Sequence, residues 1–261
     1  MPALRLLQIT DTHLEGDAHA QQRGIQTLAA LRAVLAEALQ QPADALLLTG
    51  DVANDDPAGY RWIREELGRC GRAVLCIPGN HDDPAAMRRA LPSEPFHHCG
   101  HHDFGHGDFG HGDFGGWRIV MLDSCLFGHT EGVLAATELL RLDRTLAEAP
   151  TRHALLVLHH PPVAMGSRWL DDLGLVNSDD FFEIVDRHAN VRGILWGHAH
   201  QEFSSVRENA HGKIPLLACP STCIQFLPGA ADFALDTRPP GFRKLALQDD
   251  GRIDSEVVWV G

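Results

Sequence analysis

Five short segments of this chain bring carboxylate, imidazole and amide side chains together at tight spacing. They are Asp11-Thr12-His13, Gly50-Asp51, Gly79-Asn80-His81-Asp82, His159-His160 and Gly197-His198-Ala199-His200. Their donors are oxygen and nitrogen atoms, with no thiolate among them. Such a set suits two hard or borderline divalent cations. Two cations side by side are a device for hydrolysis, because together they activate water and neutralise charge on the group attacked.

Each segment follows an apolar run: Leu4 to Ile9, Ala45 to Leu48, Ala73 to Ile77, Leu155 to Leu158 and Val191 to Trp196. The runs are short and rich in Leu, Ile and Val, which predicts buried strands and not helices. Where buried strands of an α/β protein end on one edge, the residues just beyond them converge. Asp11 and His13 are two apart, so on an extended stretch both side chains would leave on one side and grip one ion. Gly50 allows the backbone to turn sharply before Asp51. Between the strands, Gln21 to Gln40 carries a helical stripe at Ile25, Leu28, Leu31, Leu35 and Leu39. Pro57 to Arg69 and Pro84 to Leu91 read as helices with proline near their starts. Trp117 to Leu122 reads as a strand and Leu134 to Leu146 as a helix. Ser178-Asp179-Asp180 reads as the N-cap of a helix reaching about His188. Strands alternating with helices predict a layered α/β fold. Because Asp11 and His200 must share one site, residues 1–261 are expected to form a single domain.

Composition narrows the function. A formal net charge of −13 over 261 residues argues against nucleic acid as the main partner, since phosphate backbones are met by basic surfaces. A small phosphate ester remains compatible, because bound ions would dominate the local charge. No apolar run is long enough to span a membrane, and no secretory signal opens the chain. The expected location is the cytoplasm, with the six cysteines as reduced, buried thiols. His97 to Gly116 repeats Asp-Phe-Gly at 103, 108 and 113 and is rich in Gly and His. It is expected to be a solvent-facing loop or hairpin that supplies no ligand to the main site.

In this order, the five blocks resemble those of the calcineurin-like metallophosphoesterases. The stretches Leu6 to Leu14, Trp169-Leu170-Asp171, Gly197 to Gln201, Pro220 to Phe226 and Pro240-Gly241-Phe242-Arg243 resemble bacterial class III cyclic AMP phosphodiesterases, as does Asp250-Gly251. The resemblance implies a four-layer α-β-β-α sandwich, two mixed sheets face to face with helices outside. It implies a first ion held by Asp11, His13, Asp51 and His200. A second ion would be held by Asp51, Asn80, His159 and His198, with Asp51 bridging. His160 is the alternative to His159, and the family pattern favours the first of the pair. The native pair of ions is open among iron, manganese, zinc and cobalt.

The resemblance further implies hydrolysis of 3′,5′-cyclic AMP to 5′-AMP by a metal-bound hydroxide. Asn80 and His81 would contact the phosphate. His81, left without an ion, would protonate the departing 3′-oxygen or else only position the phosphate. Asp55 reads as a turn residue or one that orients a ligand. Trp169, Phe226 and Phe242 are candidate base-stacking residues, with core packing the commoner role for any one of them. Glu15 departs from the family, which often has an aromatic there. Two alternatives remain: a metallophosphodiesterase for another small diester such as a glycerophosphodiester, and, remotely, a non-catalytic scaffold. The family and the general frequency of two-fold dimers admit a homodimer.

Overall fold

A computed structural model describes residues 3–104 and 116–261. The first sheet contains β1 (Leu4–Ile9), β2 (Ala45–Thr49), β3 (Ala73–Ile77) and β4 (Phe96–His98), all parallel. From the far end of the chain, β11 (Gly241–Leu247) and β12 (Ile253–Trp259) add antiparallel neighbours, in the order β12-β11-β1-β2-β3-β4. The second sheet is built from β5 (Gly100–Phe104), β6 (Trp117–Met121), β7 (His153–Val157), β8 (Val191–Trp196), β9 (Phe203–Asn209) and β10 (Gly212–Ala218). Its order is β9-β10-β8-β7-β6-β5, with parallel strands in the middle and antiparallel ones at both edges.

Strand side chains alternate between two faces, and here both faces are apolar. Leu4, Leu6, Leu47 and Leu75 point into a layer shared with Trp117, Ile119, Leu155, Val157 and Leu195 of the other sheet. Leu7, Ile9, Leu46, Leu48 and Val74 point the other way. They meet Leu28, Leu31 and Leu35 of α1 (Thr27–Ala38), Tyr60 and Ile63 of α2 (Tyr60–Leu67), and Met87 of α3 (Pro84–Ala90). Val120, Leu156 and Ile194 pack likewise on α4 (Ala136–Glu148), the single turn α5 (Arg168–Asp171) and α6 (Ser178–Arg187). The result is the expected α-β-β-α order. Among the described residues, no helix is long and apolar enough to cross a membrane.

Three expectations need correction. The first helix starts at Thr27, not Gln21, because Arg23 (φ +51°) and Gly24 (φ +89°) turn the chain into a two-residue ribbon. Ile25 is therefore 38% exposed and not part of the helical stripe. The last helix is capped one residue earlier than expected, at Asn177, whose side chain instead clasps the backbone of Leu134. The segment after His97 includes the expected hairpin, with 100–104 antiparallel to 117–121, but it is not solvent-facing throughout. Residues 96–98 close the first sheet and residues 100–104 edge the second, with Phe104 buried between them. Asp103 pairs bidentately with the Arg118 guanidinium at 2.6 and 2.8 Å. The repeats at 108 and 113 lie outside the described residues.

Candidate metal centre

The carboxyl ends of β1, β2 and β3 from one sheet, and of β7 and β8 from the other, meet along one edge. Gln8 ties the sheets just behind that edge, its amide donating to Trp196 O at 3.0 Å and Thr49 Oγ1 at 3.1 Å. Beyond the strands the loops zip together. Asp11 N donates to Gly50 O at 3.0 Å, His13 N to Asp51 O at 2.9 Å, and Gly197 N to His159 O at 3.1 Å. A Cβ on Gly50 would collide with the His159 ring, and one on Gly79 with the Asp51 carboxylate. Both positions need glycine for this close approach.

All seven expected ligands come together here. Asp11, His13, Asp51, His198 and His200 have φ between +44° and +60°. Asp11 and His13 thus do not share an extended stretch, contrary to expectation; each sits in a left-handed bend. Such backbone costs about 1–3 kcal/mol per residue and persists where its surroundings over-determine it. The bends aim neighbouring side chains inward independently. Ligand atoms of Asp11, His13 and His200 lie within 4.8 Å of one another, as do those of Asp11, Asp51 and His159.

The hydrogen bonds behind the rings decide which nitrogen faces the centre. His200 Nδ1 donates to Ile224 O at 2.8 Å and His13 Nδ1 to Asn54 Oδ1 at 3.3 Å. The Asn54 amide is itself oriented by Glu15, whose Oε1 accepts from Asn54 Nδ2 at 3.0 Å. Both Nε2 lone pairs are thereby turned toward each other, 3.1 Å apart. Two lone pairs at that distance repel unless a cation lies between them. His159 is oriented in the same way, its Nδ1 donating to Thr49 O at 2.8 Å. Its Nε2 faces two acceptors, Asp51 Oδ1 at 3.4 Å and Asn80 Oδ1 at 3.3 Å. His198 Nδ1 reaches the same Asn80 oxygen at 2.9 Å. These donors fit divalent cations, and the rings of His13, His159 and His200 are each fixed by a hydrogen bond through Nδ1.

Of the adjacent pair, His159 turns to Asp51, whereas His160 is held through both nitrogens by Ser124 Oγ at 2.8 Å and Thr130 O at 3.2 Å. The charges agree with this arrangement. Burial disfavours a charged His159, yet Asp51 and Asp11 overcome it and push the imidazole up to about 9. Burial would likewise raise Asp51, but His159 and His13 hold it well below the usual carboxylate range. His13 is pushed down to about 4 by burial and so stays a neutral donor.

His81 stands apart. Its backbone N donates to Asp51 Oδ1 at 2.9 Å, and its Nδ1 pairs with Asp55 Oδ2 at 2.9 Å. Burial opposes protonation of this ring, but Asp51 and then Asp55 outweigh it and raise its pKa. Asp55 is therefore an orienting residue and not merely part of a turn. Asp82, read only as completing its block, turns out to hold three backbone amides: Val52 at 3.1 Å, Ala53 at 2.9 Å and Gly79 at 2.9 Å. It also accepts from Tyr60 OH at 2.9 Å. Thr10 and Ser221 were missed as well; they bond the Asp11 carboxylate at 2.6 Å and its carbonyl at 2.7 Å. Residue type alone did not mark them, and the contacts of Asp82 with Val52 and Ala53 and of Ser221 with Asp11 join loops far apart in sequence. Among the candidate aromatics, Phe242 is core, while Phe226 stacks on the His200 ring at 4.2 Å and 10°.

Comparison with known proteins agrees with this geometry. The chain is 38% identical over 258 residues to the 3′,5′-cyclic adenosine monophosphate phosphodiesterase CpdA of Escherichia coli (strain K12), covering 97% of this chain and 89% of that one. It is 36% identical to the 3′,5′-cyclic-nucleotide phosphodiesterase alr5338 of Nostoc sp., over 98% of this chain and 92% of that protein. A dimetal phosphatase from Danio rerio shares the fold, with a TM-score of 0.65 at 12% identity and full coverage of both chains. The family model for calcineurin-like phosphoesterases matches residues 4–202, which include all seven ligand positions. The chain belongs to the calcineurin-like phosphoesterase family.

Proposed function

We propose that the protein is a binuclear-metal phosphodiesterase that hydrolyses 3′,5′-cyclic AMP to 5′-AMP in the cytoplasm, with residues 1–261 acting as one catalytic unit. The observation that carries this reading is the Asp51 carboxylate, whose two oxygens face different donor sets. Oδ2 is 3.8 Å from His13 Nε2, on the side of Asp11 and His200, while Oδ1 is 3.4 Å from His159 Nε2, on the side of Asn80 and His198. Asp11, His13, Asp51 and His200 would hold the first ion, and Asp51, Asn80, His159 and His198 the second. When bound, the ions supply charge neutralisation at the phosphoryl oxygens and lower the pKa of water, so that hydroxide is available for in-line attack. Asn80 adds a neutral oxygen to its set, so no further negative charge repels the phosphate.

His81 supplies the proton. Asp55 holds Nδ1, which leaves Nε2 for the substrate, and the carboxylates of Asp51 and Asp55 favour the protonated ring. As the bond between phosphorus and the 3′-oxygen breaks, that proton passes to the oxygen and the ring is left neutral. All six thiols are free, which fits a reducing compartment.

A substrate panel on metal-loaded protein tests the assignment. Cyclic AMP should give the highest kcat/KM, with 5′-AMP as product. A higher value for a glycerophosphodiester would move the substrate while keeping the metal centre.

A further inference from the structure

A cavity of about 420 Å³ opens beside the ligand cluster on the His81 side, lined among others by Asp55, Asn80, His81, Asp83, Leu126 and Phe127. That volume is within the range of small-molecule sites, roughly 300–1,000 Å³. Phe127 has no part in holding ions, and it is not core, being 89% exposed. It sits at the tip of a turn closed by His129 N donating to Leu126 O at 3.0 Å. The turn is braced against the metal loops. Cys125 Sγ donates to Gly79 O at 2.9 Å, and Val133 N to Ser124 O at 3.0 Å. A nearly bare aromatic ring is thus presented on an anchored support at the rim of the cavity that contains Asn80 and His81.

The polar groups of the cavity have a direction as well. Asp55 Oδ2 is taken by His81, and Asp83 Oδ1 by the amides of Ala85 and Ala86 at 2.8 and 3.0 Å. The second oxygen of each carboxylate lies outside those bonds and accepts only donors. The aromatics on the opposite side do not compete. Phe226 is stacked on His200 and meets Trp169 and Phe233 edge-on, so those faces are already used.

We infer that this cavity is a nucleobase subsite, in which Phe127 stacks on a purine whose exocyclic amino group faces the carboxylates. The subsite rests on the phosphodiesterase reading above, since the ions would place the phosphate at its edge. Stacking on an aromatic side chain is sequence-tolerant and sensitive to removal of the ring.

Calorimetric binding to manganese-loaded protein tests it without turnover. Adenosine 5′-monophosphate should bind at least about five-fold more tightly than ribose 5-phosphate. Phe127→Ala should remove that preference while leaving ribose 5-phosphate unchanged, and Phe127→Trp should restore it. In kinetics, Phe127→Ala should raise KM for cyclic AMP by about ten-fold with little change in kcat. The same variant should leave methyl 4-nitrophenyl phosphate, which has no base, unaffected. A protein that binds the nucleotide selectively through Phe127 but does not hydrolyse cyclic AMP would retain the subsite and lose the proposed reaction. Equal binding of the two phosphates by the native protein, or a preference that survives in Phe127→Ala, would overturn the subsite.

Discussion

His81 differs from the side chains around it in having a carboxylate, Asp55, on Nδ1, although it also lies within reach of His13 and Asp51. In the function proposed above it carries a proton and not an ion. His81→Ala should therefore retain both metals and slow cyclic AMP cleavage by about 10²–10⁴-fold, the usual contribution of a general acid. A diester with a nitrophenolate leaving group hardly needs the proton and should lose less than about ten-fold. Equal losses on the two substrates would give His81 a positioning role only. His159 carries a second prediction. Without a cation its ring is pushed up to about 9, so at pH 7.5 it holds a proton that an incoming ion must displace. Metal titration by calorimetry in buffers of different ionisation enthalpy should show proton release, fading as the pH rises past 9. Binding at pH 7.5 with no proton released would contradict the orientation given to His159.

The elements that place these residues were only partly legible. Runs such as Ala45–Thr49 and Ala73–Ile77 are buried on both faces, and their nearly continuous apolar character marked them as strands. The converging ends then followed, and with them the ligand cluster. The antiparallel strands gave no such signal. Phe203–Asn209 alternates half-buried and exposed residues and is largely polar, while Gly241–Leu247 includes a buried charge at Arg243. Arg243 bridges the sheets, donating to Ala218 O at 3.1 Å and to Phe203 O at 3.3 Å in one sheet and to Ser255 Oγ at 2.6 Å in its own. Arg243→Ala strands those carbonyls and opens a void, so it should cost roughly 3 kcal/mol of stability in urea unfolding. Bound metal should be unaffected once the variant is folded. A loss below about 1 kcal/mol would show that this strut is redundant. The left-handed bends at Asp11, His13, His198 and His200 were invisible for a different reason. They are held by hydrogen bonds between loops far apart in sequence, and the modest tolerance of Asp and His for such backbone is too weak to mark them.

On the scale of the whole molecule, a chain of formal charge −13 gathers buried carboxylates and imidazoles at the meeting edge of two sheets. Two divalent cations would make that edge locally positive inside an acidic protein, which suits a small anionic ester and disfavours a polyanion. The core layers lie largely away from the metal edge, so removal of metal should stop chemistry without unfolding the chain. The most direct test is a titration of metal-stripped protein with manganese, following cyclic AMP hydrolysis and metal content together. Activity should be absent at zero metal, rise to a plateau at two ions per chain, and yield 5′-AMP. Full turnover by protein verified to be metal-free, or no turnover by folded protein holding two ions, would contradict the assignment of this centre as the catalyst.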